Sequence, residues 1–135
     1  MGYQLKDEWG IELEPSANTE TCAPGWDIVR KEVLKETLNV TYEEQERYLA
    51  EYAKKFSVAV RRRSAVEAVY DTLVVWLCHD QRLLERSWDW SSTRTVDGGY
   101  LNVGGFGKNG LQIFSYSRAV RHGALGVCPA RQSNE

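Results

Sequence analysis

Residues 100–116 have the sequence YLNVGGFGKNGLQIFSY, and this stretch decides the predicted fold class. Alternating apolar residues lie on both sides of Asn109-Gly110, a dipeptide that is typical of a type I′ hairpin turn. The pattern therefore predicts a glycine-rich β-hairpin with large side chains on both of its faces. Closing this turn pairs Lys108 with Leu111, Phe106 with Ile113, Gly105 with Phe114, and Val103 with Tyr116.

Three helices are predicted upstream of the hairpin. The first covers about residues 26–38, where apolar side chains recur at helical spacing. The second and third each begin with a capping box, in which a Thr or Ser and a Glu three residues later bond to each other's backbone N–H groups. These boxes are Thr41-x-x-Glu44, which opens a helix to Phe56, and Ser64-x-x-Glu67, which opens a helix to about Glu85.

The third helix is apolar on more than one side. One side carries a continuous stripe that includes Tyr70 and Leu77, and Val74 and Cys78 extend the apolar surface around the helix. A helix that is apolar all round is usually buried in the interior of a protein. We therefore expect this helix to be central and covered on two sides.

The segments around these elements have weaker patterns. Residues 8–14 alternate apolar with charged or small side chains, which predicts a short strand. Residues 57–63 leave helix and strand open as alternatives, and residues 88–93 are turn-like. The chain from residue 119 onward shows no strong pattern.

The predicted fold class is α+β, because helices and strands are segregated along the chain. About three helices precede a C-terminal glycine-rich hairpin, and the N-terminal strand is a candidate for the same sheet. A length of 135 residues fits a single domain over residues 1–135. Residues 1–25 are expected to be partly irregular and residues 119–135 to form a loose tail.

Composition predicts a cytoplasmic protein without a membrane span. The longest apolar run covers six residues, 73–78, whereas a membrane span needs roughly 18–20. The first eight residues mix both charges and contain no signal peptide. Three cysteines without a CxxC pair fit a reducing compartment better than a disulfide framework.

No motif predicts a cofactor or a metal site. Gly105-x-Gly107-x-x-Gly110 matches the letters of a dinucleotide fingerprint, but a strand follows it where that motif needs a helix. The cysteines and histidines lack metal-ligand spacing. Cys128 with His122 is the least implausible pair of nucleophile and base, and it leaves a small enzyme of unrecognised type as the second alternative.

The arginine-rich second half makes nucleic-acid binding the first alternative. Residues 1–57 carry 7 basic and 12 acidic side chains, whereas residues 58–135 carry 10 and 7. A patch of arginines can contact phosphates, but a net charge of −2 argues against binding by the whole surface. The candidate phosphate-contacting residues are Arg61, Arg62, Arg63, Arg118 and Arg121.

A protein partner is the leading prediction, because Trp, Tyr and Arg dominate binding hot spots. We expect a non-catalytic protein-protein interaction protein: a small inhibitor, adaptor or assembly subunit that masks or bridges a partner. Self-association into a homo-oligomer is left open. Small accessory proteins of phages and other mobile elements share this profile. The candidate partner-binding residues are Trp88, Trp90, Arg94, Phe106 and Tyr116.

Overall fold

The fold is α+β, with two α-helices and seven strands in two sheets across residues 28–131, the part of the chain that the computed structural model describes. The described residues thus form more strands than helices. In chain order the elements are β1 (Ile28–Val29), α1 (Tyr42–Phe56), β2 (Val60–Arg61), α2 (Ala65–His79), β3 (Trp88–Arg94), β4 (Tyr100–Gly107), β5 (Gly110–Tyr116), β6 (Leu125–Gly126) and β7 (Ala130–Arg131).

The larger sheet has the strand order β5-β4-β3-β6. Its strands pair antiparallel, except that β6 runs parallel to β3. The smaller sheet has the order β1-β7-β2 and is antiparallel. Since β2 lies between the two helices, residues 57–63 contain a strand and do not extend a helix.

The prediction of three helices followed by a hairpin is wrong, although both capping boxes are confirmed. The boxes at Thr41–Glu44 and Ser64–Glu67 begin α1 and α2, and α1 ends at Phe56 as predicted. These elements form where expected because capping depends on residues only three positions apart.

Helix α2 ends at His79 and not near Glu85. Asp80 adopts the left-handed conformation, with φ at 53°, and donates its backbone N–H to the carbonyl oxygen of Trp76. This geometry closes a helix at its C-terminus. Leu84 also has a positive φ of 57°, so the segment before β3 cannot continue the helix.

The first predicted helix, over residues 26–38, is not present in the described part of that range. Its place is taken by β1 and a 3-10 turn over Lys35–Thr37. The backbone N–H groups of Arg30 and Leu34 donate to the carbonyl oxygens of Pro129 and Val127, at 3.1 and 3.0 Å. Pairing with a distant segment therefore overrides the helical spacing of the side chains. The strand predicted at 8–14 lies outside the described residues.

The segment 88–93 is a central strand and not a turn. Its polar residues are compatible with burial because they find partners. Ser91 Oγ donates to the carbonyl oxygen of Leu101 at 2.7 Å, and Thr93 Oγ1 accepts from the backbone N–H of Ala65 at 2.9 Å. Trp90 is fully buried on the opposite side of this strand from those partners.

The β4–β5 hairpin is present, but its turn and register differ from the prediction. Gly107 pairs with Gly110, and Val103 pairs with Ile113 instead of Tyr116. Lys108 and Asn109 are the central residues of this turn, and neither has a positive φ. The turn is therefore not type I′, which needs a positive φ at both central residues. The positive φ of 96° lies at Gly110, directly after them. A bulge between Gly104 and Gly107, with Gly105 at φ 58°, shifts the remaining pairs.

Each side of the larger sheet carries a core. Helix α2 covers one side, where the buried core contains Leu101, Val103 and Phe106. Tyr42, Trp90 and Leu125 form the core on the other side. Residues 125–130 are all buried, so this part of the C-terminal segment is not a loose tail.

Candidate functional site

The outer side of α2 exposes a line of large apolar side chains. Tyr70, Val74 and Leu77 are 59%, 37% and 55% exposed. Their spacing of four and three residues places them on one side of a helix that turns about 100° per residue. We call these three residues the α2 stripe. Cys78, which is also exposed, lies beside it.

The inner side of α2 determines which residues face outward. Ala65, Ala68 and Leu73 pack with Val103 and Ile113 of the larger sheet in a buried core. The sequence pattern predicts a helix covered on two sides. In the structure the sheet covers one side, and the stripe on the opposite side stays exposed.

The two carboxylates of α2 are neutralised within the chain. Glu67 accepts hydrogen bonds from Arg61 at 2.9 and 2.7 Å, and Asp71 accepts one from Arg63 at 3.0 Å. The Arg61 bond lowers the pKa of Glu67 to about 2, so this carboxylate is charged and paired at neutral pH. The stripe therefore lies beside ion pairs and not beside uncompensated acids.

Arg62 connects helix α1 to strand β3 from a buried position. Its Nη1 donates to Gln45 Oε1 at 2.8 Å and to the carbonyl oxygen of Trp90 at 2.9 Å. Its guanidinium also pairs with Glu46 and lies 3.7 Å from the centre of the Tyr42 ring. A guanidinium held in this way is not available to a phosphate.

Arg63 connects α2, β3 and the C-terminal segment. It donates to Asp89 Oδ2 at 3.0 Å through Nη2 and to Asp71 through Nη1. The other oxygen of Asp89 accepts the backbone N–H of Cys128 at 2.8 Å. Arg63 and Asp89 are both buried, so this pair is a structural link in the interior.

The two remaining candidate phosphate contacts are exposed and also paired. Arg118 lies 2.7 Å from Glu43, and Arg121 lies 2.6 Å from Glu44. All five arginines predicted to contact phosphate therefore have a carboxylate partner in the same chain.

The structure brings three of those five arginines to one open groove of about 780 Å³. Carboxylates line the same groove, so it does not present a uniformly positive surface. Arg61, Arg62 and Arg118 line it together with Glu43 and Glu46, while Arg63 and Arg121 are not among its lining residues.

The five residues predicted to bind a protein partner do not form one surface. Trp90 and Phe106 are fully buried, in the cores on opposite sides of the larger sheet. Trp88 and Tyr116 are half-buried beside His122, and Arg94 is exposed at the end of β3. The two buried rings cannot act as exposed anchors for a partner.

The structure does not activate Cys128 as a nucleophile. Burial raises the pKa of its thiol, and the nearby negative charge of Asp89 raises it further. A nucleophilic cysteine needs the opposite shift. His122 is exposed, and its Nδ1 accepts the backbone N–H of Ala124 at 3.0 Å.

The apolar pattern of α2 predicts that the stripe residues lie in the core, whereas the structure exposes them. One signal is present in the sequence: Val74 and Cys78 make the helix apolar on more than one side. The sequence alone could not show which side of the helix the sheet would take, since both sides are apolar.

Comparison with known proteins adds no relative. No family model matches the chain, and neither a curated protein nor a solved structure is significantly similar to it. Within residues 28–131, no group of three or more His, Cys, Asp or Glu side chains could hold a metal ion. No helix in that range has both the length and the hydropathy to cross a membrane.

Proposed function

We propose that this protein is a non-catalytic interaction protein that binds a protein partner through the α2 stripe. The observation that carries the proposal is the exposure of Tyr70, Val74 and Leu77 along one side of one helix. Single exposed apolar residues are common on protein surfaces, whereas the largest contiguous apolar patch of a protein is often a functional one, which supports the proposal.

The form of the stripe supports docking as a helix. Apolar residues at positions i, i+4 and i+7 are the anchors by which helices bind to grooves and to other helices. Tyr70 is also among the residue types that most often contribute to binding energy. The neutralised carboxylates beside the stripe suit the centre of an interface, where unpaired charges are rare.

Docking of this kind fits a small inhibitor, adaptor or assembly subunit, which acts by masking or bridging its partner. A cytoplasmic location is part of the proposal. It is supported by the free thiols of Cys78 and Cys128, since free cysteines are typical of a reducing compartment. Nucleic-acid binding has less support, because its candidate arginines are engaged with carboxylates.

The test is affinity capture from nuclease-treated extract of the organism that encodes the chain. Leu77→Arg places a charge within the stripe and should remove the captured protein. Phe56→Arg is the matched control, because Phe56 is 54% exposed at the end of the other helix and Leu77 is 55% exposed. The proposal is wrong if both variants capture the same proteins as the natural chain.

A further inference from the structure

We propose that the α2 stripe binds a second copy of this chain, with the two α2 helices packed antiparallel across a twofold axis near Val74. This inference rests on the proposed function, because the same side chains carry both. It makes the protein a self-assembling subunit.

The spacing of the stripe is complementary to itself. Tyr70 and Leu77 lie about 5 Å on either side of a point next to Val74, given a rise of about 1.5 Å per residue. In an antiparallel pair, Tyr70 of one protomer meets Leu77 of its partner, and the two Val74 side chains meet at the axis. A twofold interface requires this property, that one patch fits a rotated copy of itself.

The sizes of the side chains allow the helices to come close. Val74 is the smallest of the three and lies at the centre, whereas the larger Tyr70 and Leu77 flank it. Helices pack at about 8–10 Å, and the shorter distances need small residues where the axes approach. A large residue from each copy therefore has space beside the central valines.

Electrostatics also permits two identical copies to approach. Glu67 and Asp71 lie within about 60° of Val74 around the helix, at the edge of the stripe. Unpaired, they would place four carboxylates along a twofold interface and repel the second copy. Each is paired within its own chain, to Arg61 and Arg63, so the edges of the stripe carry compensated charge.

The exposed area sets the strength of the contact. The exposed parts of the three side chains amount to on the order of 300 Å² per copy. A standard stable interface takes about 800 Å² from each partner. We therefore expect a reversible dimer that forms with rising concentration, and not an obligate one.

The first test is sedimentation velocity of the full-length chain from micromolar to near-millimolar concentration. The natural chain and Phe56→Arg should shift from monomer toward dimer mass, and Leu77→Arg should remain monomeric. A monomer at every concentration overturns the inference. So does a dimer that Leu77→Arg leaves intact, because that dimer would form elsewhere on the surface.

The second test addresses the antiparallel arrangement. Tyr70→Lys and Leu77→Glu should each weaken the dimer roughly tenfold or more, since each removes an apolar anchor and places a charge in the interface. Mixing these two variants should restore the dimer. The lysine introduced in one protomer would meet the glutamate introduced in the other at one contact, while the natural Tyr70–Leu77 contact remains at the second. Mixing would also relieve like-charge repulsion in a parallel pair, so the double variant Tyr70→Lys/Leu77→Glu separates the two arrangements. In an antiparallel pair each lysine meets a glutamate, and the double variant should dimerise more strongly than either single variant. Weaker self-association of the double variant would contradict the proposed axis, because a parallel pair places like charges together.

The two proposals can fail separately. If the natural chain stays monomeric while Leu77→Arg still loses a captured partner, the protein-binding function stands and the second copy is not its partner. If neither mass nor capture responds to the stripe variants, both proposals fail.

Discussion

The side chains of Arg62 and Arg63 are 3% and 4% exposed, whereas Tyr70 and Leu77, on the helix that follows, are more than half exposed. The arginines can be buried because carboxylate and carbonyl oxygens surround them. The apolar residues are exposed because the sheet covers only the other side of α2. Whether a side chain is buried in this protein thus depends on the contacts that the fold provides for it, and not on residue type alone. Arg62 and Arg63 link elements in the interior, and the α2 stripe is the exposed surface that we propose binds a partner.

The largest expected effect comes from breaking the buried pair. Arg63→Met leaves Asp89 buried without its cation, which should lower the free energy of unfolding by about 3–5 kcal/mol. Urea denaturation measures this loss. The double variant Arg63→Met/Asp89→Asn should recover about 1 kcal/mol or more, since the uncompensated charge is gone. A loss within about 0.5 kcal/mol for the single variant would show that the arginine is not a structural connector.

The next comparison uses two leucines of the same helix. Leu73 is buried against the sheet, so Leu73→Ala should cost about 2–4 kcal/mol of unfolding free energy. Leu77→Ala should cost under about 1 kcal/mol when measured at a concentration where the chain is monomeric. Equal losses would mean that the outer side of α2 is packed in solution and would remove the basis for a docking surface.

An effect of intermediate size should appear in the pH dependence of stability. The pKa of Glu67 is lowered from 4.5 to about 2 by Arg61, so its ionised form stabilises the folded state above pH 4.5. That contribution should fade as the pH drops from about 5 to about 2. Glu67→Gln should therefore be less stable than the natural chain by roughly 1–2 kcal/mol at neutral pH, allowing for solvent screening, with the gap closing in acid.

Urea denaturation at a series of pH values gives this gap, and Glu51→Gln, at an exposed position of α1, controls for a general change in charge. A gap that stays constant from neutral to acid pH would contradict the assignment of the stabilisation to the Glu67–Arg61 pair.

The smallest effect is expected at the exposed arginines. Arg118 and Glu43 form a pair whose side chains are both more than half exposed. Arg118→Ala should change the unfolding free energy by no more than about 0.5 kcal/mol. Comparing Arg118→Ala with Arg63→Met tests whether the contribution of an ion pair to the unfolding free energy depends on how deeply the pair is buried. A loss of several kcal/mol at Arg118 would remove that distinction.

Local signals in the sequence predicted local structure. The capping boxes at Thr41–Glu44 and Ser64–Glu67 begin the two helices, because each depends on side chains within one helical turn. The presence of a hairpin around Asn109-Gly110 could also be predicted. Its register could not, because a bulge at Gly105 adds a residue that no alternation of side chains reveals.

Structure that depends on contacts between distant parts of the chain could not be predicted from the sequence. Residues 28–38 have helical spacing, yet their backbone bonds to the segment 127–131. Trp88–Arg94 resembles a turn by composition, but Ser91 and Thr93 find buried partners on other elements. The exposure of the α2 stripe could not be predicted for the same reason, since only the position of the sheet decides which apolar side of the helix stays exposed.

The strands β6 and β7 have a consequence for the effect of truncating the chain. Leu125–Gly126 pairs with β3, and Ala130–Arg131 pairs with both β1 and β2, so one short segment completes both sheets. A chain that lacks this segment has no strand between β1 and β2 and no parallel partner for β3. A chain cut before residue 125 therefore loses a strand from each sheet together.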